Sequence, residues 1–152
     1  MKLRTIALTV VVCLVAAVCL ASSPQMGKWK LNEAKSKFAS AARNSMVVYA
    51  MAGDNVKVTV DGVDAAGKPL HSVWTGKFDG KDYPVTGDPT ADMRAYKEVD
   101  AHTLEISAKK DGKVTLTGKI VVSADGKTRT ITTSGTDSMG MKMENVGVYD
   151  KQ

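Results

Sequence analysis

Between Ser22 and Gln152 the chain carries three arginines, Arg43, Arg94 and Arg129, against sixteen lysines. Scarce arginines are informative, because a planar guanidinium grips a carboxylate with two parallel N–H donors where an ammonium acts as a point charge. Arg94 alternates with Asp92 and Tyr96, and Arg129 with Ile131 and Thr133. If these segments are strands, each set shares one face. On the inner wall of a sheet closed on itself, either arginine would anchor an anionic ligand. The competing reading is an arginine at the surface, or one paired internally with an acid such as Asp92. Tyr149 shares its alternation with Met143, Asn145 and Gly147, so it should point inward, within reach of Arg129 on the neighbouring hairpin strand. Tyr149 and Arg129 would then orient a headgroup that apolar walls cannot fix. Trp74, in the run Leu70, Ser72, Trp74, Gly76, Phe78, supplies the apolar lining, together with Tyr96 and Met143.

Other chemistry-bearing groups are weaker candidates. Met139, Met141 and Met143 recur at period two, and three thioethers on one face suit a soft ion such as Cu(I). Flexible apolar filling accounts for them equally. His71 alternates with Val73, Thr75 and Lys77 and should be exposed, and His102 follows Asp100 at a turn. Neither has the spacing of a zinc ligand pair. Asp79, Asp82, Asp88 and Asp92 lie in a Gly/Pro-containing stretch, but they do not match a calcium loop, and turn chemistry explains Asp79 and Asp88. No Gly-x-Ser-x-Gly elbow is present. The reading is therefore a non-catalytic protein with no metal and no cofactor.

The elements that would position these groups are strands. Asp-Gly-Lys occurs at 79–81, 111–113 and 125–127, with Gly53-Asp54-Asn55 and Ala66-Gly67-Lys68 in similar slots. Asp-Gly between alternating segments is a strong hairpin signal. Val56, Val58 and Val60 alternate with polar residues. So do Leu104, Ile106 and Ala108, and then Val114, Leu116, Ile120 and Val122. Thr128, Thr130, Thr132 and Ser134 form a polar face opposite Arg129. The pattern predicts ten strands, starting near Lys28, Ser45, Asn55, Pro69, Asp82, Ala91, His102, Lys113, Lys127 and Lys142. Short connections make them an antiparallel meander, and closing the meander removes its edges. The expected fold is thus all-β, an up-and-down antiparallel β-barrel of about ten strands. Glu33 to Arg43, after the N-cap Asn32, reads either as one short helix or as an irregular loop. Val47, Tyr49 and Met51 share one face of a strand and Met46, Val48 and Ala50 the other, which calls for cover on both sides and makes these residues, with the face from Leu70 to Phe78, candidates for a pocket or for a filled core.

Lys2 and Arg4 precede an apolar run that ends at small residues around Ala21, which reads as a signal peptide over 1–21 with one domain over 22–152. The run is short for a membrane anchor. Lipidation at Cys19 would need a small preceding residue, and Val18 is branched. Both cysteines, Cys13 and Cys19, fall inside the signal, so the mature chain would have none. The expected location is periplasmic or secreted, with no stable membrane insertion after cleavage. Without Lys2 and Arg4, nineteen basic residues face sixteen acidic ones. They are interspersed, which argues against nucleic acid as a partner.

The two ends of the mature chain carry a resemblance. Gly27-Lys28-Trp29-Lys30-Leu31, followed by Phe38, resembles the Gly-x-Trp opening of lipocalins and fatty-acid-binding proteins. Val148-Tyr149-Asp150-Lys151 resembles the Arg-Val-Tyr-Glu-Lys close of fatty-acid-binding proteins. The resemblance implies a calycin-type barrel with Trp29 at its closed end, in a small exported bacterial protein. It also implies a small hydrophobic or amphipathic molecule as partner. The arginine that holds a ligand carboxylate in that family is replaced here by Gly147, and the segment after the first strand is too short for a helix pair. The alternative function is a structural or protein-interaction module with a filled core, displaying an apolar patch from Val47, Tyr49 and Met51.

Overall fold

A computed structural model describes residues 23–136 and 139–152. The proposed signal peptide, with Cys13 and Cys19, lies outside the described residues. Ten strands run in chain order: β1 (Gly27–Leu31), β2 (Arg43–Ala52), β3 (Asn55–Val63), β4 (Pro69–Gly76), β5 (Tyr83–Thr86), β6 (Met93–Asp100), β7 (Thr103–Lys110), β8 (Lys113–Val122), β9 (Thr128–Thr136) and β10 (Lys142–Lys151). Each pairs antiparallel with its chain neighbour, and β1 pairs with β10 to close the barrel. Closure satisfies both edges, which an open meander of this length would expose.

Local chemistry sets most boundaries. Asp111 and Gly112 both take positive φ, at 49° and 76°, and join β7 to β8 by a two-residue turn. That combination matches the right-handed twist of the flanking strands. Gly53-Asp54 makes another two-residue connection. Asp79-Gly80-Lys81 is not a hairpin turn. It lies in the β4–β5 connection, where Asp79 bridges to Lys97 of β6. Gly87, just after β5, has φ +76°, and a Cβ there would sit 2.0 Å from the His71 carbonyl oxygen. Gly87→Ala should therefore destabilise by about 2–4 kcal/mol, from backbone strain and overlap together. The midpoint of urea unfolding measures it.

The segment after β1 is not a helix to Arg43. A single 3-10 turn forms at Glu33–Lys35, with the Asn32 side chain accepting from the Lys35 N–H as a cap. Beyond it the edge of β10 captures the backbone. Lys37 exchanges hydrogen bonds with Val146 in both directions, and the Ala39 N–H donates to Asn145 Oδ1 at 2.8 Å. A backbone N–H committed to a strand edge is unavailable to a helix.

The inner wall is a grid. One row runs Leu31, Tyr149, Arg129, Val122 across β1, β10, β9 and β8. The next is Gly147, Ile131, Ile120, Leu104, followed by Asn145, Thr133, Gly118, Ile106, Tyr96. The last is Met143, Gly135, Leu116, Ala108, Arg94. Across the barrel, Trp29, Val47, Val60 and Ser72 form one row, and Tyr49, Val58, Trp74 and Val85 another. Val114 departs from the expected face. A bulge between Ala108 and Lys109 pairs it with Lys109, and it is exposed. Val47 and Tyr49 belong to the core, so the apolar patch expected from Val47, Tyr49 and Met51 does not exist. Met51 alone is exposed, at the end of β2.

Candidate functional site

Arg129 is the most unusual residue of the interior: a guanidinium only 2% exposed. Its register position dictates this, because β9 alternates Arg129, Ile131 and Thr133 inward against an outward row of threonines. The Arg129 Cζ lies 5.5 Å from the Trp29 ring centroid, 4.8 Å from Tyr49 and 5.1 Å from Tyr149. Rings from the first, second and last strands thus box the cation, and desolvated cation–π contacts of this kind are worth up to about 2 kcal/mol each. Among the described residues no carboxylate lies within ion-pairing distance of Arg129. Its Nε and Nη1 are buried without a hydrogen-bond partner.

The tyrosines do not neutralise it. Burial pushes the Tyr49 phenol well above its ordinary value, with Tyr96 adding to the rise and Arg129 opposing it. Burial also raises Tyr149, again against the pull of Arg129. Both stay protonated at neutral pH. The Tyr149 hydroxyl donates to the Asn44 carbonyl at 3.0 Å, which fixes the ring against the box. Because the folded protein holds these protons more tightly than the unfolded chain, their stability contribution is complete below the ordinary tyrosine range. It is lost as pH rises through and beyond that range. Unfolding free energy should therefore fall above about pH 10, and Tyr49→Phe should flatten that fall in a pH series of denaturant midpoints.

A second polar site joins the first through the aromatic core. Arg94 Nη2 donates to Asp88 Oδ2 at 2.6 Å, with both side chains 12% exposed. The acid is Asp88 of the β5–β6 loop, not Asp92. Asp92 instead accepts the Asp111 N–H at 2.9 Å. Burial works against the Arg94 charge, but Tyr96 and Asp88 hold it and raise its pKa. Its Nε is unpartnered. Trp74 is fully buried, donates Nε1–H to the Arg94 carbonyl at 2.9 Å, and packs against Tyr96, Tyr83 and Phe78 at 4.7, 5.7 and 6.4 Å. Tyr49 touches both groups, lying 6.2 Å from Tyr96.

The structure thus places Arg129 and Tyr149 together, and Arg94, Tyr96 and Trp74 together. Met143 lies apart, three inward positions along the wall from Tyr149 and half-buried at the mouth. Leu116, Gly135 and Ile131 are also half-buried, whereas Thr133, the inward residue between Ile131 and Gly135, is buried. Tyr49 and Trp29 belong to the box; the alternation of β2 makes Tyr49 a candidate for the pocket, and Trp29 is expected only as packing at the closed end. The period-two partnership of Tyr49 with Val47 was the available signal, and only the closure of β2 onto β1 turns it inward. His71 is exposed as expected and pairs with Asp61. Asp79 and Asp88 accept the N–H groups of Lys81 and Thr90, as turn residues do.

A concavity of about 770 Å³ lies on the barrel's outer wall, lined by Lys97, Glu105, Lys119, Thr132, Ser134 and Glu144 among others. Ala95, Ile106 and Val121 add apolar surface to its lining, and neither Arg129 nor the rings of its box belong to it.

No protein-family model matches the chain, and neither does any curated protein. A similar solved structure is that of a redesigned β-barrel, mFAP1, bound to DFHBI. It is 11% identical, with a TM-score of 0.48, over 85% of this chain and 98% of that one.

Proposed function

We propose that this is an exported, non-catalytic protein that binds a small anionic amphiphile in the barrel, with Arg129 as the headgroup anchor. The observation that carries the reading is the pair of buried, unpartnered N–H groups on a guanidinium that no protein carboxylate neutralises. An unpaired buried charge is costly, and a carboxylate on those donors would recover much of that cost. In this reading an apolar tail would pack along half-buried Leu116, Ile131 and Met143.

The test is a titration of the mature protein with dodecanoate and with dodecanol, read by indole fluorescence and native mass spectrometry. The acid should bind at least about tenfold tighter, the margin of one charge-assisted hydrogen bond. Equal affinities, or binding of neither, would remove the anchor. Export is tested separately. Protein recovered from the periplasm or medium should begin at Ser22, and retention in the cytoplasm with Met1 intact would refute it.

A further inference from the structure

Arg94 is held by a carboxylate and still lacks a partner. Its Nη2 donates to Asp88 Oδ2 at 2.6 Å, while Nε is buried with no hydrogen-bond partner among the described residues. Nε–H and one Nη2–H lie side by side on one edge of a guanidinium, where a carboxylate can take two parallel bonds. Asp88 fills only half of that edge. Its Oδ1 accepts from the Thr90 N–H at 2.8 Å and from Thr90 Oγ1 at 2.7 Å, so the loop turn leaves one oxygen for Arg94. A buried donor without an acceptor is costly, and an oxygen placed on it would recover that cost.

The charge already present decides which kind of oxygen fits. Arg129 faces no carboxylate, whereas Arg94 is paired, so a second anion on Nε would meet the Asp88 charge where little water screens it. An uncharged oxygen meets no such repulsion. Arg94, Ala108 and Leu116 are register neighbours across β6, β7 and β8. A tail packed on Leu116 therefore lies two strand spacings, about 10 Å, from the Arg94 backbone, with the small Ala108 side chain between. The Asp88 loop reaches β8 as well, where Thr115 Oγ1 donates to the Thr90 carbonyl at 3.2 Å. The open edge of Arg94 and the Leu116 wall thus share one end of the barrel.

We infer that Arg94 Nε takes an uncharged oxygen of the ligand, a hydroxyl or keto group carried on its apolar chain, which makes the ligand class an oxygenated fatty acid. The inference rests on the reading of Arg129 as carboxylate anchor and adds a second point of attachment toward the other end of the wall.

The experiment is a set of titrations of the mature protein, read by indole fluorescence, with dodecanoate, its 6-, 9- and 12-hydroxy forms, dodecanedioate and dodecanol. At least one hydroxy acid should bind about tenfold tighter than dodecanoate, the margin of one hydrogen bond to a charged donor. Dodecanedioate should show no such gain. Arg94→Lys keeps a charge beside Asp88 and puts a methylene where Nε–H stood. It should abolish the hydroxyl gain while dodecanoate affinity and the denaturant midpoint stay close to the parent's. Hydroxy acids no tighter than dodecanoate would overturn the inference, as would a gain that survives Arg94→Lys or an equal gain for dodecanedioate. In those cases a retained preference for dodecanoate over dodecanol leaves the Arg129 anchor standing. Loss of that preference in the parent protein would overturn both readings together.

Discussion

Replacing Arg129 with methionine should leave the barrel folded and weaken an anionic amphiphile by about 1–3 kcal/mol, roughly five- to 150-fold in Kd. The dodecanol affinity should stay within about twofold, because an alcohol makes no charge-assisted contact. The stability change has its own diagnostic value. Arg129 is buried among Trp29, Tyr49 and Tyr149 with two N–H groups unpartnered. Replacing a buried, unpaired charge with an apolar side chain of similar length is often neutral or stabilising. Methionine also keeps its sulfur close to the aromatic rings, a contact worth a fraction of a kcal/mol. The expected pattern is therefore weaker binding at unchanged or higher denaturant midpoint, which marks a residue kept for a ligand. The opposite pattern, lower stability with no change in the acid-to-alcohol ratio, would make Arg129 a structural part of the aromatic core.

Trp74→Ala should cost about 3–5 kcal/mol, the range for truncating a fully buried aromatic. Three losses combine: the burial of the indole, its edge contacts with Tyr96 and Tyr83, and the Nε1–H bond to the Arg94 carbonyl. The position also holds a thin seam. β5 has only four residues, and Trp74↔Val85 is one of two pairs joining β4 to it. Chemical denaturation with near-UV circular dichroism should show a large drop in midpoint and loss of the aromatic signal. Trp74→Phe should recover most of the stability. A cost below about 1 kcal/mol for Trp74→Ala would mean that the aromatic cluster does not hold β4 to β6.

The strand ladder was legible because its determinants are local. Alternation and Asp-Gly turns act within a few residues, and the start of each strand falls within a few positions of where they put it. Nonlocal effects were not legible. The Glu33–Arg43 segment has a good cap and a small apolar face, yet it yields beyond Lys35 to a strand edge supplied by Val146, more than a hundred residues away. Val114 is turned outward by a bulge in its own strand, where Thr115 is left without a partner between Leu116 and Val114, and alternation does not announce a bulge. For the site, alternation alone turned Arg129 and Tyr149 inward. The other two walls of the box, Trp29 and Tyr49, arrive through the β1–β2 and β1–β10 pairings. Asp88 reaches Arg94 from a loop, where no periodicity operates.

The closing pair β1–β10 joins the first and last strands of the barrel, with the Gln152 N–H donating to the Lys28 carbonyl at 2.9 Å. The Arg129 box is built from β1, β2, β9 and β10, so it cannot exist until the last strand is present. A chain threaded N-terminus first delivers Trp29 early and Tyr149 last. In the interval β1 has an unpaired edge and Trp29 lacks its cover. Contacts of such long sequence separation place folding in the range of milliseconds to seconds. A chain stopped short of Val148 would present that open edge permanently, as a template for strand addition by a second molecule. The same adjacency makes the seam expendable in covalent terms. Linking Gln152 to the segment before Gly27 and opening the chain at Asp111-Gly112 keeps every pairing. It also brings β9, β10, β1 and β2 into one run of sequence, and this rearranged chain should fold faster than its parent.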